Sequence, residues 1–344
     1  MPQWKTIFRS RLAVRMGISL GLLVGLVWGA GYWAVHRYPL ELSEYRTSRT
    51  LRSAGARLES APYGGRMVRG WVRDFCAPGD SACRCVALVH GLGDRATTWK
   101  RLLLTQPEEW SKSLRLLAID LPGSGESEAP ASSEGYRITE LARAVSAFIR
   151  ARPGCGSVWV VGNSLGGGVV VMAALQADIR VRRLVLLSPG GMEPPSEGSF
   201  VSSGQPLTEE LLRRVAAREL LRIGTVSALK EFQARAYAHP HPLPDYVWEA
   251  AARRIRESSS SDILSAQRPE DFIGGRVAEI QIPSVILWGL ADRVTPLEEA
   301  RPWLSKLRFS RLQEVKECGH LPQKECPLEV MGALNSLLNA GAGG

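Results

Sequence analysis

The chain reads as an α/β protein. It is expected to hold a mostly parallel sheet flanked by helices, a helical insertion, and an N-terminal membrane-spanning helix. Three observations predict this. Short apolar runs alternate with helical stretches between residues 66 and 187. The alternation stops over 191–275, where helix formers, Arg and Pro dominate, and returns at Ser284–Trp288. Residues 16–35 carry no charged side chain.

The N-terminal segment comes first. Lys5, Arg9, Arg11 and Arg15 precede the uncharged stretch, which is long enough as a helix to cross a hydrocarbon core of about 30 Å. Signal peptides usually have shorter apolar regions, so an uncleaved anchor is expected, with cleavage near Gly29–Gly31 as the alternative. Gly17, Gly21, Gly25 and Gly29 form one ridge of a helix, a pattern that lets two membrane helices approach closely. Three Arg residues follow the span before residue 50 (Arg37, Arg46 and Arg49), so the charge bias weakly favours a cytoplasmic N-terminus and an extracytoplasmic main domain.

Strands are expected at Arg66–Phe75, Cys85–His90 and Arg115–Asp120, followed by a helix at Ile138–Arg150. Val158–Gly162 is a Val-rich apolar run too short for a helix; it leads into an Ala/Val/Met-rich helix, Gly167–Gln176, and then a strand at Arg183–Leu187. Continuous apolar strands of this length are buried on both faces, as in a parallel sheet. Within the insertion, Thr208–Ile223 is amphipathic, and Ser258–Ser261 reads as a polar loop. A final helix fits Leu328–Leu338. The organisation expected is a basic tail (1–15), membrane helix (16–35), linker (36–64), first part of the core (65–190), helical insertion (191–275) and second part of the core (276–344).

Of the 344 residues, 45% are hydrophobic and 22% charged, which excludes disordered and fibrous classes. The net charge of +9 is spread along the chain without aromatic interleaving or a nucleic-acid motif, so no nucleic-acid partner is expected. Six cysteines are compatible with disulfides in an oxidising compartment, or with free structural thiols. Cys76 and Cys83 bracket a turn-rich segment that would bring them together, and the Cys76–Cys85 spacing matches no common zinc pattern.

The chemistry falls in turns after strands. Gly162-Asn163-Ser164-Leu165-Gly166 is G-x-S-x-G between a buried strand and a helix, the context of a nucleophile elbow. Of five histidines, only His320 follows the returned sheet pattern, and Asp292 lies between Ser164 and His320, just beyond a strand. Asp292 would orient His320, and His320 would take the Ser164 proton. Asp271, inside the insertion, is a poorer acid. His90-Gly91-Leu92-Gly93 offers unencumbered backbone amides, so the N–H groups of Leu92 and Leu165 are the expected oxyanion donors, and His90 is expected to anchor its loop.

His90–Gly93, Asp120–Ser127, Gly162–Gly167, Trp288–Pro296 and Gly319–Pro327 together resemble the α/β-hydrolase family, in its order and spacing, over about residues 64–340. Within that family the chain looks most like membrane-anchored monoacylglycerol lipases and bacterial lipases or esterases. In GNSLGG and Cys-Gly-His it is also similar to hydrolases that cleave C–C bonds of ring-fission products. The resemblance implies that 191–275 is a cap over the active site, with Leu229, Phe232, Tyr237 and Trp248 as candidate lining, and that no metal or organic cofactor is needed. The expected activity is hydrolysis of acylglycerol or other lipid esters. A C–C hydrolase and a non-catalytic membrane-tethered binding protein are the alternatives.

Overall fold

The computed structural model describes residues 27–76, 83–105, 114–193 and 217–339. Eight strands form one sheet: β1 Arg57–Tyr63, β2 Arg66–Asp74, β3 Arg84–Val89, β4 Leu114–Ile119, β5 Ser157–Asn163, β6 Arg180–Leu187, β7 Ser284–Gly289 and β8 Ser310–Val315. Their order is β1-β2-β4-β3-β5-β6-β7-β8. β2 runs antiparallel to β1 and β4, and every pair from β4 to β8 is parallel.

The apolar runs are explained by the two faces of this sheet. In β3, Cys85, Ala87 and Val89 join one core while Val86 and Leu88 join the other. In β7, Ile286 and Trp288 face the first core and Val285 and Leu287 the second. Alternate side chains enter opposite layers, so the middle of a central strand is apolar on both faces and its polar residues fall toward the ends. The helix Ile138–Arg150 buries Ile138, Leu141, Ala142, Val145, Phe148 and Ile149, an i, i+3, i+4 stripe laid on the first face. Each fully buried Leu or Phe contributes about 1.5–3 kcal/mol of burial.

The expected linker, 36–64, is corrected: it holds the helix Pro39–Ser53 and strand β1. The serine-rich loop also differs, because Ser260 and Ser261 open the helix Ser260–Ala266. Residues 16–26 of the expected membrane span lie outside the described residues, as do Gly17, Gly21 and Gly25. Residues 27–37 are helical, with Trp28, Tyr32 and Trp33 exposed, and Gly29 has open space around it. Among the described residues no helix is long and apolar enough to cross a membrane. The described part of the insertion forms the helices Ala217–Ile223, Val226–Ala236, Asp245–Glu257 and Ser260–Ala266. The six cysteines pair as Cys76–Cys83, Cys85–Cys155 and Cys318–Cys326.

Candidate active site

Strands β3, β5, β7 and β8 end on one edge of the sheet, and the turns after them carry all the expected site residues. Ser164 stands between β5 and the helix Leu165–Gln176 with φ 54° and ψ −121°. A non-glycine residue held at such a conformation costs about 1–3 kcal/mol. The surroundings hold it there: the Ser164 N–H donates to the Leu187 carbonyl at 3.0 Å. The Ser164 carbonyl accepts from the N–H groups of Gly167 and Gly190 at 2.9 and 2.8 Å. The tightness demands glycine on either side. A Cβ on Gly162 would overlap the Gly166 carbonyl, and one on Gly166 would overlap the carbonyls of Val89 and His90.

The imidazole of His320 meets Asp292 with Nδ1 2.8 Å from Oδ2, both side chains being almost fully buried. Asp292 Oδ1 accepts the N–H groups of Val294 and Thr295 at 2.8 and 2.9 Å, and Oδ2 accepts the Thr295 hydroxyl at 3.0 Å. Burial alone would raise this carboxyl. The His320 ring beside it and the Thr295 N–H outweigh burial and hold it below its ordinary value, so it stays a carboxylate. With Nδ1 engaged by a carboxylate, Nε2 is left as the proton acceptor. The Trp288 indole N–H donates to the Thr295 carbonyl at 2.8 Å and pins the acid's loop.

Among the described residues, the backbone N–H groups of Leu92 and Leu165 donate to no protein acceptor. The two turns are adjacent: a Cβ on Gly91 would lie 3.1 Å from the Ser164 Cβ. His90 is buried and anchors this loop, as expected. Its Nδ1 lies 2.8 Å from the Gly91 carbonyl, and its Nε2 accepts the Leu121 N–H at 3.1 Å. Burial pushes its pKa down, which suits a neutral imidazole with one donor and one acceptor. Asp271 is buried against Arg137, at 2.9 Å, and serves the fold.

A cavity of about 650 Å³ opens over this edge, lined by both Ser164 and His320. Leu229, Phe232, Tyr237 and Trp248, the expected cap lining, all line it. The pairing of His320 with Asp292, the elbow conformation of Ser164 and the two unengaged amides together form an arrangement able to perform acyl transfer through serine. Among the described residues no cluster of three or more His, Cys, Asp or Glu could hold a metal ion.

Sequence reasoning missed a second layer of contacts. The Asn163 side-chain amide donates to the carbonyls of Leu187 and His320, and its oxygen accepts the Gln323 amide at 3.0 Å. The disulfide Cys318–Cys326 closes the loop that carries His320. Asp94, in the turn after β3, pairs with Lys324 at 3.0 Å. Glu44, from the helix Pro39–Ser53, pairs with Arg95 at 2.8 Å and with Arg254 of the insertion at 3.0 Å. Apart from the disulfide, whose cysteines are 8 positions apart, these partners lie tens to hundreds of residues apart, so no local pattern marks them; the one signal was the Cys-Gly-His string.

A family model described as the alpha/beta hydrolase family matches residues 86–333. The chain belongs to the alpha/beta hydrolase family. A 2-hydroxy-6-oxononadienedioate/2-hydroxy-6-oxononatrienedioate hydrolase from Klebsiella pneumoniae is 28% identical over 281 residues, covering 79% of this chain and 92% of that protein. Two solved structures share the fold. One is a membrane phospholipase A described as a bacterial virulence factor, with TM-score 0.69 and 21% identity, covering 96% of this chain and 99% of that one. The other is an esterase from Rhodococcus sp. ECU1013, with TM-score 0.59 and 20% identity, covering 83% of this chain and 98% of that one.

Proposed function

We propose that the chain is a serine hydrolase of carboxylic esters, acting on lipid esters from a membrane tether. The observation that carries this reading is the cavity lined by Ser164, His320 and the apolar cap residues Leu229, Phe232 and Trp248, with the His320–Asp292 pair behind it. Apolar lining of this kind accepts an acyl chain and excludes water.

In this reading the Ser164 hydroxyl attacks the ester carbonyl while His320 Nε2 takes its proton. The carbonyl oxygen, now negative, is held by the N–H groups of Leu92 and Leu165. The C–O bond to the alcohol breaks, and the alcohol leaves with the proton from His320. Water then loses a proton to His320 and attacks the acyl-enzyme; the fatty acid departs and Ser164 regains its proton. Asp292 stabilises the imidazolium in both halves.

The tether rests on the uncharged stretch 16–35 and on the helix 27–37, whose exposed Trp28, Tyr32 and Trp33 suit a membrane–water interface. Three disulfides favour an oxidising, extracytoplasmic side for the domain. The ridge Gly17, Gly21, Gly25 and Gly29 is the face through which two tethers would associate.

The relative at 28% identity favours a second reading, C–C bond hydrolysis by the same three residues. One experiment separates them: rates of the detergent-solubilised chain on p-nitrophenyl esters from C2 to C16, on a monoacylglycerol, and on a vinylogous 1,5-diketone. A maximum at medium or long acyl chains supports the lipid-ester reading. Turnover of the diketone without the esters reverses the order.

A further inference from the structure

The charges of the cavity wall are unevenly matched. Among the described residues, six cationic side chains line it against two carboxylates, Glu44 and Asp94. Those carboxylates are already engaged: Glu44 by Arg95 and Arg254, and Asp94 by Lys324. Lys100 and Arg101 stand apart from these pairs. Both line the cavity, both are exposed, and among the described residues neither head group enters an ion pair or hydrogen bond.

Their neighbourhood is polar as well. The helix Lys100–Leu104 packs on the helix Pro39–Ser53, whose Ser43 and Thr47 line the same cavity with hydroxyls that take no partner among the described residues. The cap contributes the contrasting wall of Leu221, Leu229, Phe232 and Trp248. The cavity is therefore amphiphilic, with an apolar wall from the cap and uncompensated positive charge beside two free hydroxyls.

We infer that Lys100, Arg101, Ser43 and Thr47 form a subsite for an anionic head group. The preferred substrate is then an acyl ester carrying a negative charge on its alcohol side, a phosphodiester or a carboxylate, in preference to a neutral acylglycerol. This deepens the ester-hydrolase reading and rests on it. Only the carboxylic C–O bond breaks; the charged group leaves intact on the alcohol. Cations and hydroxyls together satisfy the several acceptor oxygens of such a group.

The test uses the full chain in nonionic detergent, with three substrates of equal acyl chain: decanoyl-lysophosphatidylglycerol, 1-decanoylglycerol and its hemisuccinate. The quantity read is the ratio of kcat/KM on each anionic substrate to that on 1-decanoylglycerol. The wild type is expected to show a ratio above one that shrinks as salt is raised from 50 to 500 mM. The double variant Lys100→Gln/Arg101→Gln should lower it about fivefold, mainly through KM, and Lys100→Arg/Arg101→Lys should largely retain it. Equal ratios for both anions assign the subsite to charge; a high ratio for the phospholipid alone assigns it to phosphodiesters. A wild-type ratio of one or less, or a ratio unmoved by the double variant, overturns the subsite. No turnover of p-nitrophenyl decanoate overturns the ester reading, and the subsite with it.

Discussion

The side-chain amide of Asn163 donates to the backbone carbonyl of His320 at 2.9 Å. The residue before Ser164 thus fixes the main chain of His320, across 157 positions of sequence. The same amide group is completed by Gln323, and all three residues are buried. The turn that carries Ser164 and the loop that carries His320 are thereby registered to each other.

Removing this contact is expected to cost positioning more than binding. In Asn163→Ala, the buried His320 carbonyl loses its partner and the Gln323 amide keeps only the Thr98 hydroxyl at 3.4 Å, a loss of about 1–3 kcal/mol in stability. If about 1.4 kcal/mol of that is felt as misplacement of His320, kcat on a p-nitrophenyl ester falls about tenfold with KM little changed. Thermal unfolding and steady-state kinetics check the two effects. A variant with wild-type kcat would show that His320 is placed by other contacts.

Asp120 predicts a dependence of stability on pH. Its carboxylate accepts the N–H groups of Ala96 and Glu126 at 2.6 and 3.0 Å and so joins two turns under the site. Burial nevertheless pushes it up to about 7, well above its ordinary value. The folded chain holds this proton more tightly than the unfolded one. The contribution is complete below about pH 4 and is lost as pH rises through about 7. Between pH 5 and pH 8 the melting temperature of the wild type should fall relative to that of Asp120→Asn. Parallel curves for the two proteins would contradict the assignment.

The disulfide Cys318–Cys326 closes a loop of sequence separation 8 around His320. Closing so short a loop stabilises by about 2.5 kcal/mol in the chain-entropy model. Cys318→Ala/Cys326→Ala is therefore expected to unfold at lower denaturant and to lose turnover at temperatures where the wild type is active. Denaturant titration with activity followed in parallel checks both, and equal midpoints would show that the loop is held without the bond.

The legible parts of the fold were those whose physics is local. The central strands are apolar on both faces, so Val158–Gly162 and Ser284–Trp288 announce themselves. The edge element β1 does not. It pairs on one side alone, contains Pro62, and buries only Ala61, so it carries no hydrophobic period. The helix Pro39–Ser53 buries only Leu51 and docks partly through Glu41 and Glu44 on Arg254, which a search for apolar stripes passes over. At the site, Ser164, Asp292 and His320 could be named from turn chemistry and chain order. Asn163, Gln323 and Glu44 act through tertiary contacts that no spacing rule encodes. The partner of Cys85 was illegible for the same reason, lying 70 residues away at Cys155.

The central claim is that Ser164 is a nucleophile activated by His320. Treatment of the intact chain with a fluorophosphonate, followed by peptide mass spectrometry, tests it most directly. The account predicts one adduct per chain on Ser164, formed rapidly in the wild type, absent in Ser164→Ala and slowed at least a hundredfold in His320→Ala. An unlabelled wild type, or an adduct on another residue that survives Ser164→Ala, would contradict it.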